Sequence, residues 1–405
     1  MGIVTASARS TVNIRGCHRT PKGGVAVSGS LNTIDVLAGM VRAAGILELE
    51  DTPGGIVLHR MPSWARSQHN DIALALVETM PSGARLEMTT DATCIELDVQ
   101  LTHVQLGAEP GMPACFDLVI DGQLADENTS RDGTLVIVDP MTGAVDIEPG
   151  GPTTIRFTGL PAGDKRVEVW LPQGAAVHLI EMRADGAVSA TAATARTWVH
   201  YGSSISHCLE ATRPTGAWPA VAARLAGVDL QSFAFAGQCQ LDPFVGRMIA
   251  AHPADLVSLK LGINVVNGDT MRERTFVPAV HGLLDTIRDG HPTVPVVVIT
   301  PITCSAAEDH PGPTTRGPGG ETAVVARSSE LAIGALTLRR IRELETQIIE
   351  DRQRDDPNLH LLPGPELFGP ADLDDLPDGL HPNAAGYQRM GERFHAWAFE
   401  NGPFG

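Results

Sequence analysis

The sequence predicts an α/β protein with two parts, an all-β sandwich followed by a parallel sheet that helices flank. Two observations support this prediction. Apolar and polar residues alternate with a period of two between about residues 84 and 183, whereas beyond residue 195 apolar runs are separated by longer amphipathic stretches. Since 405 residues suffice for two domains of roughly 150 residues or more, we place the boundary in the Ala/Thr-rich segment 184–195 and predict domains of 1–188 and 189–405.

The N-terminal half contains several short segments that predict strands. In the clearest one, Ile95, Leu97 and Val99 alternate with acidic residues, as in a strand with one face in water. Residues 34–44 fit a helix or a strand equally well. Short strands separated by turn residues predict a sandwich of the jelly-roll kind. The other predicted strands are 55–59, 116–120, 134–138, 154–158, 166–171 and 177–182.

The C-terminal half alternates predicted strands with predicted helices, which indicates βαβ units around a parallel sheet. A Gly/Pro-rich segment, 305–322, follows the fourth strand, so we expect it at the carboxyl edge of the sheet, where α/β folds place their sites. The strands are 197–201, 230–235, 256–261, 294–299 and 360–362. The helices are 218–225, 276–288, 323–352 and 384–399.

The charge of the chain disfavours two classes of partner. Thirty Lys and Arg against 48 Asp and Glu give a formal net charge of −18, which repels nucleic-acid phosphates and anionic lipid headgroups. The apolar runs are far shorter than the roughly 20 residues that span a bilayer, and residues 1–20 lack the apolar core of a secretory signal. We therefore expect a cytoplasmic protein without nucleic-acid or membrane partners, although a chain trimmed of its signal would look the same. The oligomeric state stays open.

Neither the cysteines nor the acidic clusters predict a metal site or a cofactor. The six cysteines show no CxxC spacing, which argues against zinc. Cys208 and Cys239 each lie close to a candidate site segment, so they form either a disulfide or, as we favour, two reduced thiols. A run of aspartates lacks the spacing of a calcium loop, and we expect it to be a solvated loop. Its members are Asp372, Asp374, Asp375 and Asp378.

Four polar segments contain the residue types that acyl transfer through a serine requires. They are 201–206, 235–238, 261–264 and 378–383, of which the first three end predicted strands. A serine hydroxyl becomes nucleophilic when an imidazole takes its proton, and the imidazole needs an acceptor that fixes its tautomer. The oxyanion that forms needs preorganised donors. Ser, His, Asp, Gly and Asn in these segments fill those roles.

The order of these segments resembles the SGNH, or GDSL, hydrolase superfamily, whose four blocks carry Ser, Gly, Asn and His. The resemblance implies a flavodoxin-like, three-layer α/β/α domain. It implies Ser204 as the nucleophile and His381 as the base, with Asp378 as the partner of the histidine. Backbone N–H groups of Ser204 and Gly237 and the side-chain amide of Asn264 would form the oxyanion hole.

The resemblance covers about residues 198–399 and departs from the family in one place. The Gly-Asp-Ser of the first block is here Gly202-Ser203-Ser204, which makes Ser203 a rival for the nucleophile. A β-sandwich joined to such a domain is similar in layout to two-domain bacterial carbohydrate deacetylases of this superfamily.

Three aromatic residues near these segments have alternative interpretations. His200 lies on a predicted strand, and we expect it to pack or to form hydrogen bonds there, while His207 is expected to line the pocket. Trp64 is either a sugar-stacking aromatic at the site or, as we favour, the anchor of a surface loop.

These observations predict a serine esterase that removes a short acyl group, acetyl in the first place, from a carbohydrate or another small hydroxylated molecule. Aromatic residues make up only 4% of the chain, which favours a small substrate over a long polysaccharide. Two alternatives stay open. The acyl group of the same acyl-enzyme could pass to an alcohol or amine, which makes an acyltransferase, or the protein could bind carbohydrate without catalysis.

Overall fold

Alternating apolar side chains build two mainly antiparallel sheets in the N-terminal half. The computed structural model describes residues 30–106, 111–139, 142, 144–193, 195–317 and 319–405. Residues 1–20, which we expect to lack a secretory signal, lie outside the described residues. The strands are β1 (Asn32–Thr33), β2 (Arg42–Ala44), β3 (Glu48–Thr52), β4 (Gly55–His59), β5 (Arg85–Thr90), β6 (Cys94–Leu106), β7 (Ala114–Ile120), β8 (Gln123–Ser130), β9 (Thr134–Val138), β10 (Val145–Glu148), β11 (Thr153–Thr158), β12 (Lys165–Trp170), β13 (Ala175–Ala184) and β14 (Val188–Ala190).

The two sheets face each other across an apolar core. One has the order β10-β9-β6-β13-β4-β3, with β1 beside β13 and β11 beside β6, and the other has the order β14-β5-β12-β7-β8, with β2 beside β5. Ile95, Leu97, Val99 and Leu101 of β6 are fully buried in this core, as the period-two pattern predicts. The strands predicted in this half are confirmed, and all but β6 agree to within about two residues at each end; β6 continues to Leu106, about four residues beyond the alternation that predicts it. Of residues 34–44, the last three form β2, and turns precede them.

A parallel sheet and a small hairpin follow. The strands are β15 (Thr197–Gly202), β16 (Asp229–Ala234), β17 (Leu256–Lys260), β18 (Val296–Ile299), β19 (Thr314–Arg316), β20 (Thr322–Val324) and β21 (Leu359–Leu362). The order β16-β15-β17-β18-β21 is parallel throughout, and β19 pairs with β20. The strand order reverses at β15, and such a switch point opens a crevice at the carboxyl ends of the strands.

The helices flank the parallel sheet in two groups. Trp198 and His200 of β15 contact Trp218 of α4, and α4 packs against α10, while α5 packs against α7 and α7 against α8. Side chains alternate along a strand, so Val199 and Tyr201 point to the other group of helices, α5, α7 and α8. The helices are α1 (Ser63–Arg66), α2 (Ile72–Glu78), α3 (Ser204–His207), α4 (Trp218–Ala226), α5 (Pro243–Ala251), α6 (Ile263–Gly268), α7 (Glu273–Gly290), α8 (Leu338–Arg352), α9 (Gly364–Leu367) and α10 (Ala384–Phe394). Among the described residues, no helix is long and apolar enough to cross a bilayer.

The prediction of a helix over 323–352 is wrong in its first half. Residues 322–324 form β20, turns follow, and α8 begins after Thr337, whose side chain accepts a hydrogen bond from the Arg340 N–H. Leu331, at an apolar position of the predicted helix, is 65% exposed. Gly334 adopts φ +67° between these turns and α8, a conformation that a continuous helix does not contain.

Side chains of the N-terminal half pack directly onto the parallel sheet. Arg60 is fully buried and donates hydrogen bonds to the carbonyls of Ser232 and Ala234 at 3.3 and 2.7 Å. Arg85 of β5 pairs with Asp229 of β16 at 2.6 Å. Residues 31–405 form one compact unit by their contacts. The division at 188/189 stays a prediction, and the structure places that boundary inside β14, which pairs with β5.

Candidate active site

The first block of the site is a tight turn between β15 and α3. Ser203 is the N-cap of α3 and its hydroxyl accepts a hydrogen bond from the Ile205 N–H at 3.3 Å, which leaves Ser204 as the first residue of the helix. A Cβ on Gly202 would lie 2.5 Å from the hydroxyl oxygen of Ser206, so only glycine fits there. The turn presents Ser204 at the carboxyl edge of the sheet.

Three side chains from two segments form a continuous line of hydrogen bonds. Ser204 Oγ lies 2.9 Å from Nε2 of His381, and Nδ1 of His381 lies 2.8 Å from Oδ2 of Asp378. Ser203 is fully buried, and its hydroxyl caps the helix. The structure therefore brings Ser204, and not Ser203, to the imidazole.

The turn that carries the histidine is organised by the aspartate. Oδ1 of Asp378 accepts the backbone N–H groups of Leu380 and His381 at 2.9 and 2.7 Å, which leaves Oδ2 for the imidazole. Gly379 adopts φ +76° inside this turn, a conformation that glycine adopts without strain. Thr322 of β20 donates its N–H to the Asp378 carbonyl at 2.7 Å, so the Gly/Pro-rich segment lies against the site.

The charges of this group favour an imidazolium. Burial alone would raise the pKa of Asp378, but the His381 ring and the two backbone N–H groups lower it well below its usual range. For His381, burial disfavours the cation, but the carboxylates of Glu210 and Asp378 outweigh it and raise the pKa above the ordinary value of 6.5. The line of hydrogen bonds can thus accept a proton from the serine and hold it.

The second and third blocks lie at the ends of β16 and β17. Gly237 adopts φ +74°, and nothing lies within 4 Å of a Cβ built there, so its backbone conformation and not a lack of space calls for glycine. In α6, Oδ1 of Asn264 accepts the Cys239 N–H at 3.0 Å, which leaves its amide nitrogen as the donor. Gln240 contacts the carbonyls of Gly237 and Asn264 at 3.5 and 3.3 Å and joins the two blocks.

The structure adds two residues to the site that the sequence did not indicate. Oε1 of Glu210 lies 3.5 Å from Nδ1 of His381, and Nη2 of Arg316 lies 3.9 Å from Oδ2 of Asp378. Arg316 lies on β19, inside the segment expected at this edge, so its position was a usable signal. Glu210 belongs to no motif, and the sequence carried no signal for it.

Both histidines near the nucleophile are structural. His200 is fully buried between the hydroxyls of Ser206 and Ser258, at 2.8 and 2.7 Å, as expected for a residue that forms hydrogen bonds within the fold. The expectation that His207 lines the pocket is wrong, because its ring is fully buried and bonds to the carbonyls of Gln173 and Ala234. Burial lowers the pKa of each imidazole to about 3, so both are neutral.

The cysteines and Trp64 follow the interpretations that we favoured. Cys208 and Cys239 are buried free thiols, and their sulfur atoms lie near the carbonyls of Ile205 and Lys260. Trp64 is 40% exposed and packs under the guanidinium of an arginine on α5, 5.3 Å from the ring centre.

The aspartate cluster differs from expectation. Asp372 is buried and pairs with Arg389 and Arg393, and Asp375 pairs with Arg389, so these two carboxylates are ion-paired. Asp374 is exposed, as expected for a solvated loop, and Asp378 belongs to the site. Among the described residues, one group of possible metal ligands comes together: Cys115, Asp117 and Glu127. Its Asp117 accepts hydrogen bonds from Thr215 and its Glu127 pairs with Arg213, so its carboxylates already have partners.

A family model and several solved structures match the chain. The model, described as the GDSL-like lipase/acylhydrolase family, matches residues 200–389. Among solved structures, the chain is similar to a salicylyl-acyltransferase from a tetracycline biosynthetic pathway, with 26% identity, a TM-score of 0.75, and coverage of 90% of this chain and 95% of that one. A search of curated proteins gave no match.

Two further similar structures show the fold alone. One is a protein from Bacteroides ovatus described as a GDSL-like lipase, with 19% identity, a TM-score of 0.61, and coverage of 87% of this chain and 95% of that chain. The other is a family two carbohydrate esterase from Clostridium thermocellum, an active-site mutant, with 15% identity, a TM-score of 0.55, and coverage of 88% and 96%. Both likenesses extend over the sandwich as well as the parallel sheet.

Proposed function

Residues 200–389 match the GDSL-like lipase/acylhydrolase family, and on that premise we propose that the chain is a serine esterase that removes a short acyl group, acetyl in the first place, from a carbohydrate or another small hydroxylated molecule. One observation carries the proposal, the line of hydrogen bonds from Ser204 through His381 to Asp378. A hydroxyl bound to an imidazole that a carboxylate orients is what acyl transfer through a serine requires.

In the proposed reaction, His381 transfers one proton in each half-reaction. Nε2 takes the Ser204 proton while Oγ attacks the ester carbonyl, and it gives this proton to the departing alcohol as the first tetrahedral intermediate collapses. Nε2 then takes a proton from a water molecule that attacks the acyl-serine, and it gives that proton to Ser204 Oγ as the second tetrahedral intermediate collapses and the acid is released. Asp378 holds the Nδ1–H throughout and stabilises the imidazolium.

The oxyanion of each tetrahedral intermediate needs donors. We assign this role to the backbone N–H groups of Ser204 and Gly237 and to the amide nitrogen of Asn264. Each such donor contributes about 2.7–4 kcal/mol in the transition state. Gln240, which contacts the carbonyls on both sides, supports the assignment because it holds the two blocks together.

The nucleophile is tested by labelling with a fluorophosphonate probe. Ser204→Ala should abolish labelling, whereas the matched variant Ser203→Ala should keep it and lose only the capping interaction, worth about 1 kcal/mol of stability. Circular dichroism checks that both variants fold. Labelling that persists in Ser204→Ala and disappears in Ser203→Ala would transfer the role to Ser203.

The substrate class is tested by an activity profile over p-nitrophenyl esters of increasing chain length, together with acetylated sugars. We expect the highest kcat/KM for the acetate and release of acetate from the sugars. A preference for long acyl chains, or no release from any acetylated sugar, would contradict the corresponding part of the proposal.

One observation favours a second candidate, an acyltransferase. The similar structure with 26% identity and a TM-score of 0.75 is named as a salicylyl-acyltransferase. The same acyl-enzyme would then deliver its acyl group to an alcohol or amine and not to water, which depends on how well water is excluded. Mass spectrometry of the products, with alcohols and amines present at increasing concentration, separates the two functions.

A further inference from the structure

We propose that Glu210 is a second carboxylate partner of His381 and positions the imidazole together with Asp378. The inference deepens the proposed function and rests on His381 as the base. Glu210 touches no reacting atom of the substrate, so its role is that of a positioning residue.

Two contacts fix the Glu210 carboxylate beside the ring. Oε1 lies 3.5 Å from Nδ1 of His381, and Oε2 accepts the hydroxyl of Tyr387 at 2.8 Å. Tyr387 lies on α10 and is fully buried, so its hydroxyl is fixed by the packing of that helix. This hydrogen bond therefore holds the Glu210 carboxylate in place beside Nδ1.

The segment that presents the nucleophile also presents this carboxylate. Cys208, the C-cap of α3, adopts φ +61° and ends the helix after one turn. The chain then changes direction and brings Glu210, six residues after Ser204, to the ring. Asp378 approaches Nδ1 from the other segment, with its Oδ2 at 2.8 Å. The two carboxylates therefore come from independent elements and converge on one N–H.

The charges around the imidazole are unequal. The carboxylates of Glu210 and Asp378 face it with negative charge, and the guanidinium of Arg316 faces it with positive charge from β19. Burial disfavours the imidazolium, yet the carboxylates outweigh burial and raise the pKa of His381. Taking away the charge of Glu210 removes part of this stabilisation, so the imidazolium formed during attack becomes less stable.

The geometry also gives Glu210 a role when Asp378 is lost. An Nδ1–H needs an acceptor to keep Nε2 free for the serine, and Oε1 of Glu210 lies 3.5 Å from Nδ1. A small movement of the Glu210 side chain, which is 34% exposed, would close that distance. Asp378→Asn should therefore retain more turnover than it would without Glu210.

The experiment measures kcat and KM on p-nitrophenyl acetate from acid to alkaline pH for Glu210→Gln, Asp378→Asn and the double variant. Gln at 210 keeps an acceptor for Tyr387 and removes only the charge. We expect Glu210→Gln to lower kcat with little change in KM and to move the acid limb of the profile to lower pH. In the Asp378→Asn background, Glu210→Gln should lower kcat by a factor about tenfold larger than in the wild type. Glu350→Gln, on an exposed face of α8, is the matched control and should change neither quantity.

Two results would overturn the inference. One is an acid limb that stays in place in Glu210→Gln, and the other is a cost of Glu210→Gln that is equal in both backgrounds. Failure of the proposed function looks different, because His381→Ala would then retain turnover. Tyr387→Phe provides a further measurement. This variant releases the Glu210 carboxylate but keeps its charge, so it should lower kcat while the acid limb of the pH profile stays close to that of the wild type.

Discussion

The pH response of the site depends on His381, whose imidazole must be neutral to accept the Ser204 proton. The pKa of this histidine is raised above 6.5 because carboxylates outweigh the effect of burial. We therefore expect kcat/KM on p-nitrophenyl acetate to rise with pH through one ionisation whose midpoint lies above 6.5. A midpoint below that value in the wild type would contradict the assignment of the carboxylates.

The same shift has a consequence for stability, with a defined sign. A histidine whose pKa is higher in the folded than in the unfolded state stabilises the fold when protonated. That contribution is complete below the ordinary value of 6.5 and is lost as the pH rises through the folded value. His381→Gln should therefore lose the most stability, relative to wild type, under mildly acidic conditions, which denaturation with urea at two pH values would show.

Asn264 permits a prediction about the oxyanion. Its amide oxygen is engaged with the Cys239 N–H, so the amide nitrogen is preorganised before any substrate arrives. Asn264→Ala should lower kcat by about 10² to 10³ with little change in KM, because the donor acts on charge that forms only in the transition state. Steady-state kinetics on one ester measure both constants. A variant that mainly raises KM would make Asn264 a substrate-binding residue.

The positions of these residues were predictable to different degrees. Ser204, Asp378 and His381 could be found because short segments with their own turn chemistry carry them. Gly237 was found by the same resemblance, and the structure adds its positive φ as a reason for glycine at that position. Glu210 could not be found, because its place depends on the left-handed residue Cys208 and on a tyrosine from the distant α10.

At the scale of elements, too, some strands and helices could be predicted from the sequence and others could not. The strands with apolar positions at period two were predicted because burial imposes that period. β8 was not, since its side chains are mostly exposed and its place is set by pairing with β7. The first half of the predicted helix 323–352 is also wrong because of exposure. Its apolar residues Leu331 and Ile333 contact solvent and not a core.

The carboxyl end of β16 depends on a side chain from the sandwich. Arg60 donates to the carbonyls of Val77, Ser232 and Ala234, and its guanidinium lies over the ring of Phe235, 4.9 Å from the ring centre. Complete burial lowers the pKa of Arg60 to about 9, so the side chain is still charged at neutral pH. This guanidinium therefore supports the strand that leads into the Gly237 turn.

Replacing this arginine should cost stability and turnover together. Arg60→Met keeps the length of the side chain but removes the guanidinium from three buried carbonyls, and each hydrogen bond to a charged group contributes about 1.5–3 kcal/mol. Urea denaturation should show a loss of at least about 2 kcal/mol. Arg354→Met is the control, since that side chain is 76% exposed and should change stability by less than about 0.5 kcal/mol. Equal stabilities would show that Arg60 contributes no net support.

At the scale of the whole molecule, the two halves share one core. Met61, Val77 and Trp170, all from the N-terminal half, belong to the same buried cluster as Trp198 and Phe235 of the C-terminal half. A separate cluster fills the interior of the sandwich. The apolar interface between the halves is therefore continuous with the core of the parallel sheet.

This continuity predicts the behaviour of the C-terminal half alone. A fragment of residues 190–405 should aggregate or fail to give a cooperative unfolding transition, because removing the sandwich exposes that apolar face. Size-exclusion chromatography and thermal unfolding, with the intact chain alongside, measure this. A soluble monomeric fragment with the turnover of the intact enzyme on p-nitrophenyl acetate would show that the sandwich is an appendage.

The buried contact of Arg60 with Ala234 also sets an order in time. The two residues are 174 positions apart, and at about 5–20 residues per second a ribosome needs roughly 9–35 s to extend the chain from one to the other. Most of this interval passes while the sandwich itself is made, since its last strand, β14, ends at Ala190. We therefore expect the sandwich to fold with the Arg60 guanidinium still partly in water, until the carbonyls of Ser232 and Ala234 arrive with β16.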